Sequence, residues 1–186
     1  MHPKVARRKL KLAVFIARNL DSVFEEMMKD CTIESTFAVL RMQFDAVEKK
    51  CLVSPDFVDK SSVPLLISVL MHEARHWKLK HYEQWQQIKK DTIYILAIAP
   101  DKFPKEFFYA DGRPNMFLMF KVWNLAGDAE INNSMMHVPI VRNDSEAIQA
   151  GEYPCTNVNI GDVEHMFRQM VYVQQCREEV VKYLLG

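Results

Sequence analysis

Residues 63–81 read Val-Pro-Leu-Leu-Ile-Ser-Val-Leu-Met-His-Glu-Ala-Arg-His-Trp-Lys-Leu-Lys-His. Ser61 or Ser62 can cap a helix here, and Pro64 is tolerated in its first turn, where no intrahelical N–H is required. Val63 to Met71 is apolar nearly all round, which predicts a helix buried on most sides. Charged residues begin at Arg75, so the helix should emerge from the core at that end. Within it, His72-Glu73-Ala74-Arg75-His76 is an HExxH pattern. Residues i and i+4 project from one helix face about one turn apart, so both imidazoles can reach a single metal ion. Glu73 stands beside them, where a carboxylate can take a proton from water whose pKa a zinc ion has lowered toward ~7. Without a metal, the same five residues are two exposed histidines on a charged turn.

Working outward, residues 4–29 carry apolar side chains at helical spacing (Leu10, Val14, Leu20, Phe24, Met27, Met28) and predict an N-terminal helix. Asp30 to Glu34 interrupts that pattern. From Thr36 to Phe44 the period changes to two, with Ala38, Leu40, Met42 and Phe44 on one face. A turn at Asp45 to Glu48 then leads to Lys50–Ser54, so the stretch reads as a β-hairpin ended by Pro55. Beyond the HExxH helix, a further helix is expected over Tyr82–Ala99, stopped by Pro100 and Pro104. A loop follows over 100–114, then a helix over 115–134, an irregular stretch over 137–158, and a final helix from about residue 159 toward Leu185. These elements predict a single α+β domain over 1–186, mostly helical, with a small β-hairpin before the HExxH helix.

The chain has 186 residues, 24 Lys plus Arg against 24 Asp plus Glu, and no net charge. That balance argues against a protein that wraps nucleic acid, so no nucleic-acid partner is expected. The basic start (Lys4, Arg7, Arg8, Lys9, Lys11) precedes an apolar run too short for a signal peptide, and is read as the solvated face of the first helix. No stretch approaches the ~18 apolar residues of a membrane span. Cys31, Cys51, Cys155 and Cys176 are widely spaced, with no CxxC pair, and are read as reduced thiols of a cytoplasmic protein. The eleven Met residues fall at core spacings and suit gap-filling.

A catalytic zinc takes three protein ligands and leaves one open position. Two candidates exist for the third. His81 lies nine residues after His72 and five after His76. On a continuous helix it is rotated from them by about 180° and 140°, and no Gly lies between to turn the chain. It is therefore placed as an orienting or substrate-side residue. The other candidate is on Trp123-Asn-Leu-Ala-Gly-Asp-Ala-Glu-Ile-Asn132. There Asn124, Asp128 and Asn132 follow i, i+4, i+8 on one polar face, and Ala126, Gly127 and Ala129 allow close packing. A carboxylate with an amide one turn to each side is how a metal-binding Asp would be oriented. His2, His137 and His165 have no partner at ligand spacing and are read as structural or exposed. Trp77, Tyr82 and Trp85 suit either a cleft lining or packing on an adjacent helix. Two residues depart from zinc-peptidase helices, Arg75 inside the motif and Lys78 just past it. Arg75 must point to solvent or to a carboxylate.

Taken together, these residues resemble a metallopeptidase-domain family of bacteria and phages that is often fused to a VWA-like domain. Its pattern is a hairpin, an "NPxFV"-like phrase, an apolar helix bearing HExxHxxxxH, and later WNxAxDxxIN. The matching pieces are Ser54-Pro-Asp-Phe-Val, His72-Glu-Ala-Arg-His-Trp-Lys-Leu-Lys-His81 and Trp123-Asn-Leu-Ala-Gly-Asp-Ala-Glu-Ile-Asn132, over a core of about 31–170. The resemblance implies a zincin-like fold, Zn2+ held by His72, His76 and Asp128, and Glu73 as general base. A zinc-dependent hydrolase acting on a peptide or protein substrate is the expectation. The alternative is a non-catalytic zincin scaffold that binds a protein partner, which Arg75 and Lys78 keep in view. A SprT-like, nucleic-acid-associated zincin is disfavoured by the neutral charge and the absence of a zinc-ribbon cysteine set. A compact stand-alone domain of this kind would suit a phage or mobile element.

Overall fold

A computed structural model of the protein describes residues 3–98 and 108–135. This part is α+β, mostly helical with a small three-stranded sheet. It divides into two compact units, one holding residues 3–82 and 131–135 and the other residues 83–98 and 108–130.

The first unit opens with α1 (Pro3–Leu20) and α2 (Ser22–Asp30), two helices where the apolar spacing predicts one. Asp21 is the reason. Its backbone N–H closes the last turn of α1 on Ala17, while its side chain accepts from Val23 N–H and Phe24 N–H and so starts a new helix. Three strands follow: β1 (Thr32–Ser35), β2 (Met42–Asp45) and β3 (Lys50–Val53), in spatial order β1-β3-β2. The β2–β3 pair is the expected antiparallel hairpin, with Met42 opposite Val53 and Asp45 opposite Lys50. It is shorter than the alternation suggests. Thr36 Oγ1 accepts from Ala38 N–H and turns the chain, leaving Phe37 and Leu40 78% and 94% exposed. β1 was not expected at all. It runs parallel to β3 with only Ile33 packed on the core, so no apolar alternation marks it in the sequence.

Pro55 does not only end the sheet. It is the first residue of a short helix, α3 (Pro55–Lys60), capped by Ser54. Lys9 donates to the carbonyls of Val58, Asp59 and Ser61, at 2.9–3.0 Å. One cation of the basic start therefore caps the C-terminal end of α3 instead of facing solvent.

α4 (Val63–Leu79) starts at Ser62, whose side chain accepts from Leu65 N–H. It packs against α1, α2 and β2. Leu66, Ile67, Leu70, Met71 and Ala74 are essentially inaccessible and form the core with Ala13 and Ala17 of α1, Phe24 and Met27 of α2, and Cys51 and Val53 of β3. Ile131 and Met135 belong to the same buried cluster. They are the last turns of α6 (Met116–Met135), which runs unbroken from the second unit into the first.

In the second unit, α5 (His81–Ile98, its first two residues counted with the first unit) and α6 lie close to the expected helices. Trp85 is buried and its ring stacks, tilted, on Phe120 with centroids 5.2 Å apart. Near the expected loop, Phe108 and Pro114 form an isolated bridge around the Asp111–Gly112 turn, where Gly112 takes φ +80°. Among the described residues, no helix is long and apolar enough to cross a membrane. The expected irregular stretch 137–158, the final helix, His2, His137, His165, Cys155 and Cys176 lie outside the described residues.

Arg75 points to a carboxylate. Its guanidinium pairs with Asp21, whose side chain is 4% exposed, and also donates to the Met71 carbonyl. Lys78 pairs with Glu26 in the open, both side chains being 49% exposed. Asp21 thus holds the start of α2 and a mostly buried guanidinium at once. We expect Asp21→Ala to cost about 3–5 kcal/mol, since it strands that guanidinium and removes a cap worth about 1 kcal/mol. Glu26→Ala should cost under about 1 kcal/mol. Urea unfolding of the two variants checks this, and equal small losses would contradict it.

Candidate metal centre

The rotation of α4 is set by its core face. At about 100° per residue, the buried positions Leu66, Ile67, Leu70, Met71 and Ala74 centre on one direction, and His72 and His76 project roughly opposite to it. Glu73 and Arg75 then fall about 80° to either side of the histidine axis. Arg75 turns toward Asp21 at the start of α2, as above. Glu73 turns toward the sheet, where its Oε2 accepts the Phe44 N–H at 2.9 Å. The HExxH pattern is thereby sorted into three directions, one for each kind of side chain.

Phe44 lies on β2, at an edge of the sheet. Ser54 N–H donates to the Arg41 carbonyl across the β2–β3 pair. By antiparallel alternation, Gln43 and Asp45 also bond inward to β3, while Met42 and Phe44 turn their backbone groups outward. The N–H that Glu73 captures is therefore one that the sheet itself does not use.

The two imidazoles converge. His72 Nε2 and His76 Nε2 are 3.1 Å apart, with rings edge-on at 4.9 Å between centroids. Two ligands of a tetrahedral zinc with bonds of about 2.0–2.1 Å should stand roughly 3.3 Å apart, so this spacing suits one shared ion. Asp128 completes the group: His72, His76 and Asp128 each offer one ligand atom, and all three atoms lie within 4.8 Å of one another. All three residues are partly buried. Asn124 Nδ2 donates to Asp128 Oδ2 at 3.1 Å, the i, i+4 contact expected of an orienting amide. Gly127 is buried, while the side chains of Asn132 and Ala126 lie outside the described residues.

Two imidazole nitrogens and a carboxylate oxygen are a donor set that could hold a metal ion. His81 is not in that group, but neither is it turned away as a continuous helix would have it. α4 stops at Leu79 and Lys80 takes the left-handed conformation, φ 56° and ψ 39°. A Lys does here what the sequence reading reserves for Gly. The chain folds back and His81, 6% exposed, brings its Nδ1 to 2.9 Å from His76 Nδ1.

The cysteines stay out of this chemistry among the described residues. Cys31 and Cys51 are both free and buried. Burial, followed by the nearby Glu73 charge, pushes the Cys51 thiol well above its ordinary range, and burial raises Cys31 as well. A thiol held protonated is a poor metal ligand and a poor nucleophile. Trp77 packs against the core of the first unit and Tyr82 is exposed, so the aromatic residues after the motif do not act as one group.

Compared with known proteins, the chain matches no family model, no curated protein and no solved structure. The case for the site thus stands on its own geometry. Sequence reasoning missed three contributors: Asp21, Lys80 and the Phe44 N–H. Asp21 followed by Ser22 and an acidic first turn is a legible cap, but a left-handed Lys and a backbone donor leave no sequence mark. If the group holds a zinc ion, Asp128→Ala should weaken its binding by more than ~100-fold, and Asn124→Ala, which removes only an orienting bond, by ~10–100-fold. Competition with a chromophoric chelator measures both, and an Asp128→Ala protein with unchanged affinity would remove Asp128 from the centre.

Proposed function

We propose that the protein is a zinc-dependent hydrolase, most specifically a peptidase of the zincin kind, similar to the metallopeptidase-domain family whose two motifs it carries. One observation supports this above the rest. His72 and His76 bring their ligand atoms within 4.8 Å of that of Asp128, more than fifty residues further along the chain, and Glu73 follows His72 in sequence.

Each of these side chains has a separate task on this reading. His72, His76 and Asp128 would hold the ion, and Asn124 steadies Asp128. When bound, zinc would act as a Lewis acid, polarising a carbonyl and bringing water into reach of a modest base at neutral pH. Glu73 would take a proton from the water as its oxygen bonds to the carbonyl carbon, and would give that proton to the amine nitrogen as the C–N bond breaks. Its hydrogen bond from Phe44 N–H fixes one carboxylate oxygen, so the base is held in place before substrate arrives. β2 is an edge strand, but its outward Phe44 N–H is already taken by Glu73, so the choice of a peptide as substrate rests on the likeness of the two motifs.

The departures that favoured a non-catalytic scaffold have another use. Arg75 and Lys78 are engaged with Asp21 and Glu26 of the α2 region, about a quarter-turn or more from the histidine axis. Charge inside the motif therefore does not enter the proposed site. Among the described residues, the free and buried Cys31 and Cys51 agree with a reducing compartment, and we place the protein in the cytoplasm, with a peptide or protein as substrate.

Glu73→Gln separates a hydrolase from a binding module. It keeps shape and the capacity to accept the Phe44 N–H, but removes the basic carboxylate. We expect near-normal zinc and fold with at least ~100-fold less peptide hydrolysis, the lower range for a general base. If zinc-loaded wild-type protein cleaves nothing in a broad peptide library while Glu73→Gln complements fully in cells, the peptidase reading is wrong.

A further inference from the structure

His81 is a buried polar side chain in contact with His76 that this chemistry leaves unused, and its position is built rather than incidental. α4 closes on Lys80, whose N–H reaches the carbonyls of His76 and Trp77. The left-handed turn there is one that non-Gly residues rarely take. It sets His81 as the first residue of α5 and buries it to 6% exposure. In that place His81 Nδ1 faces His76 Nδ1 at 2.9 Å, with the rings edge-on and 5.0 Å between centroids.

His76 therefore shows its two nitrogens to two different partners. Nε2 faces His72 Nε2, and Nδ1 faces His81. A contact of 2.9 Å between two ring nitrogens needs one proton between them, carried by one ring and accepted by the other. A neutral imidazole has one proton and one lone pair to place. If Nε2 of His76 is to offer its lone pair to a metal, the ring proton must be on Nδ1. His76 then donates and His81 accepts, with the proton of His81 on its own Nε2.

We propose that His81 is a positioning residue that holds His76 in the Nδ1–H tautomer and fixes its ring plane, so that Nε2 is presented to the metal. This rests on the zinc reading above. The role is the one an orienting carboxylate or backbone carbonyl commonly fills for a metal-bound histidine. Its burial gives the bond its value, since water has little access to replace a lost acceptor.

Two side-chain replacements discriminate this from simple packing. His81→Leu fills space without an acceptor. His81→Asn places Oδ1 close to where Nδ1 stands and restores an acceptor with less volume. Using the full chain and zinc alone as probe, chelator competition should show His81→Leu weakened by ~10–100-fold and His81→Asn recovering most of that loss. Cobalt(II)-substituted His81→Asn should keep the wild-type visible spectrum, and His81→Leu should not. In metal-free wild-type protein, ¹⁵N NMR of the imidazoles should show His76 as the Nδ1–H tautomer and His81 as the Nε2–H tautomer. The inference is overturned if His81→Leu binds zinc as wild type does, if His81→Asn is no better than His81→Leu, or if His76 carries its proton on Nε2. If His81→Leu does not fold, the wild-type tautomers and His81→Asn still decide. Wild-type protein that takes up no zinc would sink the metal centre itself, while the tautomers would still judge the hydrogen bond.

Discussion

Everything at the proposed centre depends on one constraint, the rotation of α4 about its own axis. Leu66, Ile67, Leu70, Met71 and Ala74 must be buried together, and burial of side chains of that size is worth roughly 1.5–3 kcal/mol each for the larger ones. A helix locked in that way has no freedom left to choose where residues 72–76 point. His72 and His76 face away from the core, Glu73 meets the edge strand, and Arg75 meets Asp21. A shift of one residue in the core face would turn every one of these side chains by about 100°. Stability and site geometry are thus the same fact seen from the two sides of one helix.

Two interactions hold that helix from its flanks. The Asp21–Arg75 pair links α4 to the break between α1 and α2, and it places a positive charge on the side away from the sheet. The Phe44 N–H to Glu73 bond links α4 to β2 on the other side. A charged residue inside HExxH looks unfavourable when the motif is considered by itself. With a mostly buried carboxylate for a partner, it becomes part of the scaffold.

How much of this the sequence carries differs by element. The apolar run from Val63 to Met71 followed by two histidines four apart is strong because the helical period and the ligand spacing coincide. The Asn124–Asp128 pair was readable for the same reason, as i, i+4 is a contact distance on any helix. What escaped depends on single backbone conformations or on non-local pairing. Asp21 splits a helix whose apolar period continues across the break. β1 exists through its parallel ladder with β3, and no alternation of its own reports it. On a continuous helix His81 would be rotated away from His76, but the left-handed Lys80 ends α4 and breaks that continuity. Backbone conformations that a residue adopts against its preference are decided by the surrounding packing, and composition alone does not show them.

The central claim is that two imidazoles and one carboxylate share a single zinc ion. X-ray absorption at the zinc edge of the full chain, loaded with one equivalent, tests it most directly. The account expects two imidazoles and oxygen donors at about 2.0–2.2 Å, no sulfur near ~2.3 Å, and loss of one oxygen donor or gain of a water in Asp128→Ala. Three coordinated imidazoles, a sulfur shell, or a spectrum with no imidazole scattering would contradict it.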